Sequence, residues 1–151
     1  MNKKRVIFFI MMIAMMMLIF FFSSQNGEES SAMRSGGFLR LKENFNVNID
    51  IGVIRKLAHL TEYLFLGVSA ILYVGTFKNS DEKSMAIATA ICVLYAVSDE
   101  FHQYFIANRD GRFGDVLIDS TGAMLGITIT MLILLIMRRK NDKKITIWHL
   151  N

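Results

Sequence analysis

The chain of 151 residues contains no proline and one cysteine, Cys92, and only 20% of its residues are charged. A single cysteine allows no intrachain disulfide framework and excludes a cysteine-based metal cluster. Charge is missing altogether from four stretches. Val6 to Gly27 is 22 residues without a charged side chain, Tyr63 to Phe77 and Ser84 to Ser98 are 15 each, and Ser120 to Met137 is 18. A soluble domain alternates apolar and polar residues along each element, so four such blocks in a chain long enough for one domain exclude that class. The hydrophobic share of 53% excludes disorder and low complexity.

The formal net charge is +4, yet the placement of the basic residues argues against nucleic acid as a partner. Lys3, Lys4 and Arg5 precede the first block, and Arg138, Arg139, Lys140, Lys143 and Lys144 follow the last. That is the pattern of cytoplasmic flanks of membrane spans. The sequence predicts an all-α polytopic membrane protein with four transmembrane helices, at about residues 6–23, 55–76, 84–106 and 116–137. A long polar outer loop covers 25–53, and a basic cytoplasmic tail covers 138–151. The first helix reads as a retained signal anchor, because its apolar stretch is long and no small-x-small cleavage site follows closely. Four crossings put both termini on one side. The termini and the 76–83 loop carry ten of the 17 Lys and Arg residues, which places both termini inside.

The two middle blocks are too short to span alone, since 15 residues rise only about 22 Å against roughly 30 Å of hydrocarbon. Lys78 bounds helix 2 at its end, so it grows backwards through Glu62 and His59 towards Arg55. Lys83 bounds helix 3 at its start, so it grows forwards through Asp99, Glu100, His102 and Gln103. Counting at 100° per residue, Arg55, His59, Glu62 and Tyr63 share one face of helix 2. Tyr95, Asp99, His102 and Gln103 share one face of helix 3, with Glu100 pointing away from it. Asp115, Asp119, Gly122 and Gly126 share one face of helix 4. A rise of ~1.5 Å per residue puts Glu62 and Asp99 about 22 Å above the inner boundary, His59 about 26 Å, and Asp119 and Gln25 about 28 Å. Ionisable groups at membrane depth face the bundle interior and mark function. Four helices agreeing in face and depth predict one shared site open to the outer surface.

Simpler readings stand beside this one. His59 and Glu62, at i and i+3, form a helical pair in themselves. Asp99 and Gln103 can serve backbone or loop groups. Asp115 has the position of a helix cap. Glu100 has basic candidates for pairing in Arg109 and Arg112, two arginines equally suited to lipid phosphate. Gly122 and Gly126 make a small-xxx-small face below Asp119, so helix 4 is expected to pack centrally with its carboxylates inward. Histidine with several carboxylates suits either general acid–base work or a divalent metal. The spacing is not that of a HExxH protease, and neither a serine–histidine–aspartate order nor a phosphate loop is evident.

Several segments together resemble the VanZ-like family of bacterial membrane proteins. They are Phe22-Ser23-Ser24-Gln25, Arg55-Lys56-Leu57-Ala58-His59-Leu60-Thr61-Glu62-Tyr63 followed by Gly67, and Ser98-Asp99-Glu100-Phe101-His102-Gln103. Further along stand Arg109-x-Gly111, Asp115-Val116-x-x-Asp119 and Gly122-Ala123-x-x-Gly126. The resemblance spans roughly residues 5 to 137. It implies a multi-pass protein of the bacterial plasma membrane, associated with resistance to the lipoglycopeptide teicoplanin.

The leading expectation is an envelope protein that binds or processes an amphiphilic wall-related ligand, either a lipid-linked wall precursor or the lipoglycopeptide itself. Gln25, Arg55, Lys56, Tyr63, Glu100, Gln103, Arg109, Asp115 and Asp119 are the candidate ligand contacts. The rival from another class is a membrane-embedded hydrolase or transferase on a lipid-linked substrate. Its acid–base or metal groups would be His59, Glu62, Asp99 and His102. A third is a non-catalytic scaffold of an envelope complex. Membrane lipids are expected partners, the oligomeric state stays open, and a divalent metal is the one cofactor these residue types suggest.

Overall fold

The computed structural model describes residues 3–24, 51–106 and 112–148. Among these residues all regular structure is helical. The four helices are α1 (Lys3–Ser23), α2 (Ile51–Val74), α3 (Asp81–Gln103) and α4 (Phe113–Trp148). Each is long and apolar enough to cross a membrane. Each starts three or four residues before its expected position. For α2 the extra turn is what its short block required, 24 residues giving roughly 35 Å of helix; α3 begins ahead of Lys83 and ends at Gln103, so its 23 residues keep the expected length but are shifted by three positions.

Local chemistry explains several of the ends. Ser80 caps α3, its side chain accepting from the backbone N–H of Lys83 at 3.3 Å. Asp81 and Glu82 in the first turn complement the positive end of the helix dipole. Helix α4 runs 36 residues, well past the expected end at 137, through Arg138 into the basic tail. The chain has no proline, and no glycine follows Gly126, so no strong stop signal interrupts that helix.

Helix α2 is the hub, touching all three others and meeting α4 most extensively. Glycine makes that approach possible. A Cβ on Gly122 would run into the carbonyl oxygen of Leu60, one on Gly126 into that of Leu64, and one on Gly67 into that of Ala123. Both backbones therefore contribute small residues to one seam. In a membrane, where burying apolar surface between helices gains little, this dispersion contact is a main source of association. Tyr63, Leu66, Ile71, Cys92, Ile19 and Ile127 fill the interior, while Phe21, Phe65, Leu94 and Leu132 are exposed on the outer faces. An apolar outside suits lipid contact.

The two ends of the bundle differ. At one, Arg5 donates to the hydroxyl and carbonyl of Thr76 at 3.2 and 3.0 Å and lies 4.2 Å from the centre of the Phe77 ring. Arg138 pairs there with Asp81 at 2.8 Å. The other end gathers the buried Ser23, His59, Asp99, Glu100, Gln103 and Asp119.

A valine at Gly126 or Gly122 is expected to push α2 and α4 apart and lower stability by about 1–3 kcal/mol, the usual cost of overpacking. Gly114→Ala, where a Cβ meets nothing within 4 Å, serves as the control. Thermal unfolding of the detergent-solubilised protein measures both. Equal midpoints for Gly126→Val and Gly114→Ala would refute the seam.

Candidate functional site

At the second end the last turns of α1 and α3 meet the early turns of α2 and α4. Ser23 comes from α1, His59 from α2, Asp99, Glu100 and Gln103 from α3, and Asp119 from α4. All are buried: Asp119 is 0% exposed, Asp99 3%, and His59 and Glu100 6% each. One ligand atom from each of His59, Asp99, Glu100 and Asp119 lies within 4.8 Å of the others. His59 Nδ1 stands 3.5 Å from Asp119 Oδ1. Two carboxylates at 4.8 Å repel by about 3.5 kcal/mol at an effective dielectric near 20, so three charged ones together demand positive or donating neighbours.

Part of that demand is met by hydrogen bonds between helices. The Ser23 hydroxyl donates to Asp99 Oδ2 at 2.9 Å. Gln103, one turn on from Asp99, donates through Nε2 to the same oxygen at 3.0 Å and to Ser23 Oγ at 3.1 Å. These bonds tie the end of α1 to α3. The backbone N–H of Arg112 donates to Glu100 Oε2 at 3.0 Å, tying α3 to the start of α4.

Glu100 leaves α3 off the face that carries Asp99, as the helical count expects, yet its carboxylate joins the same cluster. Asp99 and Glu100 do leave α3 about 100° apart, but α3 has neighbours on two sides. Asp99 reaches towards α1 and Glu100 towards α4, and their carboxylates converge in the gap between. The contact Glu100 makes with Arg112 is through a main-chain N–H.

His102 lies apart from the cluster. Its ring stacks on Phe20 at 4.7 Å, and its Nε2 is 3.3 Å from Ser24 Oγ, so its contacts are with α1. Glu62 is half-buried one turn from His59 and is not among the four close ligand atoms. Tyr63 is fully buried, and its hydroxyl is within electrostatic reach of Asp99, Asp119 and Glu100. Arg55, Lys56 and Asp115 join His59, Gln103 and Asp119 in lining a small cavity of about 10 Å³, room for about one water. Gly122 and Gly126 lie along the α2–α4 seam below Asp119, where their missing side chains admit Leu60 and Leu64. Gln25, Arg109 and most of the expected outer loop fall outside the described residues.

Ser23 belongs to this network and is not among the expected site residues. It ends an apolar run at the depth of Asp99, and a small polar residue there is a signal. Chemically the cluster can hold a cation, or use His59 as a base oriented by Asp119, or present oxygen atoms to a polar head group.

A double-mutant cycle of Ser23→Ala with Gln103→Leu is expected to give a coupling on the order of 1 kcal/mol in detergent unfolding, because both serve one oxygen of Asp99. Strict additivity would contradict the network.

The family model described as VanZ/LLP1 matches residues 8–135. No curated protein and no solved structure matches the chain.

Proposed function

The chain belongs to the VanZ/LLP1 family, and on that premise we propose that it acts in the plasma membrane of a bacterium, where its buried cluster engages an amphiphilic wall-related ligand and lowers susceptibility to teicoplanin. The observation that carries this reading is the convergence of His59, Asp99, Glu100 and Asp119 at one end of an otherwise apolar bundle. Membrane proteins tolerate buried ionisable groups where function requires them. The surroundings fit an amphiphile. Arg55 and Lys56 line the adjoining cavity and match an anionic head. Phe101, Tyr104, Phe105 and Phe113 are exposed near the same end and suit the apolar part. The basic residues Lys3, Lys4, Arg5, Arg138, Arg139 and Lys140 lie towards the opposite end and support a cytoplasmic placement of both termini. The cluster then occupies the outer leaflet, the side from which a lipoglycopeptide arrives.

A second reading, a membrane-embedded hydrolase or transferase on a lipid-linked substrate, draws on one specific distance. His59 Nδ1 is 3.5 Å from Asp119 Oδ1, an arrangement in which a carboxylate can orient a general base.

Expression of the full chain in a susceptible bacterial host is expected to raise the minimum inhibitory concentration of teicoplanin several-fold. Asp119→Ala and Arg55→Ala, each verified in the membrane fraction by immunoblot, should each remove part of that protection. Complete loss with His59→Ala beside full protection with Arg55→Ala would favour the enzyme. No protection by the wild-type chain would overturn the proposal.

A further inference from the structure

Four side chains of the cluster form a donor set. Asp99, Glu100 and Asp119 supply carboxylate oxygens and His59 an imidazole nitrogen, from three different helices, with one ligand atom of each within 4.8 Å of the rest. A point equidistant from four atoms at the corners of a tetrahedron of 4.8 Å edge lies about 2.9 Å from each, and shorter edges bring it closer. Metal–ligand distances are about 2.0–2.2 Å for zinc and about 2.3–2.6 Å for calcium. Small rotations of these side chains therefore suffice to close the set on one ion.

Independent observations point to an occupant. Asp119 is 0% exposed; its Oδ1 faces the His59 imidazole at 3.5 Å, and its Oδ2 accepts no hydrogen bond among the described residues. Glu100 shows the same pattern at one atom. Its Oε2 is held by the Arg112 N–H, while Oε1 is buried without a hydrogen-bond partner among the described residues. The fully buried hydroxyl of Tyr63 likewise has no hydrogen-bond partner among them. Polar atoms this deeply buried are normally satisfied by protein, water or an ion.

The supporting shell has the form that metal sites use. Ligating carboxylates are themselves oriented by hydrogen bonds. Here Ser23 and Gln103 hold one oxygen of Asp99, and a main-chain N–H holds one oxygen of Glu100.

We propose that His59, Asp99, Glu100 and Asp119 bind one divalent metal ion. Three carboxylates favour a hard cation, and the imidazole favours one that also accepts nitrogen, so Mn²⁺ or Zn²⁺ fits better than Ca²⁺ or Mg²⁺. A dication offsets two of the three carboxylate charges and gives Asp119 Oδ2 and Glu100 Oε1 a partner. The adjoining cavity of about 10 Å³ admits one water beside the ion. The proposal rests on the same cluster as the envelope reading, but its test does not use antibiotic susceptibility.

The full chain, purified in detergent and stripped with a chelator, is titrated with Mn²⁺ and Zn²⁺ separately. Bound metal is counted by mass spectrometry after desalting, and Mn²⁺ is followed by electron paramagnetic resonance. About one ion per chain is expected, with the thermal midpoint rising on addition. Asp119→Asn keeps the shape of the side chain and should weaken binding by ten- to a hundredfold. Asp99→Asn should do likewise, which keeps the test informative if one variant folds poorly. His102→Ala, outside the cluster, should bind as the wild type does. Absence of stoichiometric metal on the wild type would overturn the site. So would unchanged binding in Asp119→Asn and Asp99→Asn. Metal binding without teicoplanin protection would leave the site standing and remove the envelope reading; protection without metal would do the reverse.

Discussion

The close approach of α2 and α4 sets the position of everything polar in this bundle. Gly67, Gly122 and Gly126 let the two backbones touch at Ala123, Leu60 and Leu64. His59 sits on the same stretch of α2 as Leu60, and Asp119 lies one turn before Gly122 on α4. Once the backbones are in contact, the imidazole and the carboxylate have to meet. A side chain in the seam would act on the cluster through the helix spacing, without touching any polar atom.

Hydrogen bonds join α1 to α3 and α3 to the start of α4. Ser23 brings α1 to Asp99, Gln103 reinforces it, and the N–H of Arg112 brings the start of α4 to Glu100. Every one of these bonds involves a carboxylate or a group that already serves one. In a low-dielectric interior such bonds are stronger, and a missing partner is correspondingly costly. The site thus helps hold the bundle together, and the bundle keeps the site dry. A protein of this kind places its most expensive residues where the helices need joining.

The four helices were legible because a bilayer imposes a length, and charge-free runs of 22, 15, 15 and 18 residues can be counted. The two shorter runs had to take in His59 and Asp99, so the placement of the polar residues followed from the same count. Helical periodicity was less reliable for the details. It set Glu100 off the Asp99 face, which holds for the helix itself, but one helix can present residues to two neighbours and both carboxylates still reach one cluster. It grouped His102 with Asp99 by angle, whereas α1 captures the ring by stacking on Phe20. Ser23 carries no charge, so a search led by ionisable groups passed it by. The extension of α4 beyond residue 137 was missed because basic residues were read as the end of the helix. They end only the apolar stretch.

The chain's single cysteine makes the central claim open to direct measurement. In a Cys92→Ala background, His59→Cys combined with Asp119→Cys puts one thiol on each of the two facing helix positions whose native side-chain tips, His59 Nδ1 and Asp119 Oδ1, are 3.5 Å apart. Treatment of this variant in membranes with a short bis-methanethiosulfonate should form an intramolecular bridge, read as a gel-mobility shift that reductant reverses. The pair His102→Cys with Asp119→Cys should not form one. Failure of the first pair to cross-link in correctly inserted protein, or equal cross-linking by both, would contradict the convergence on which this account rests.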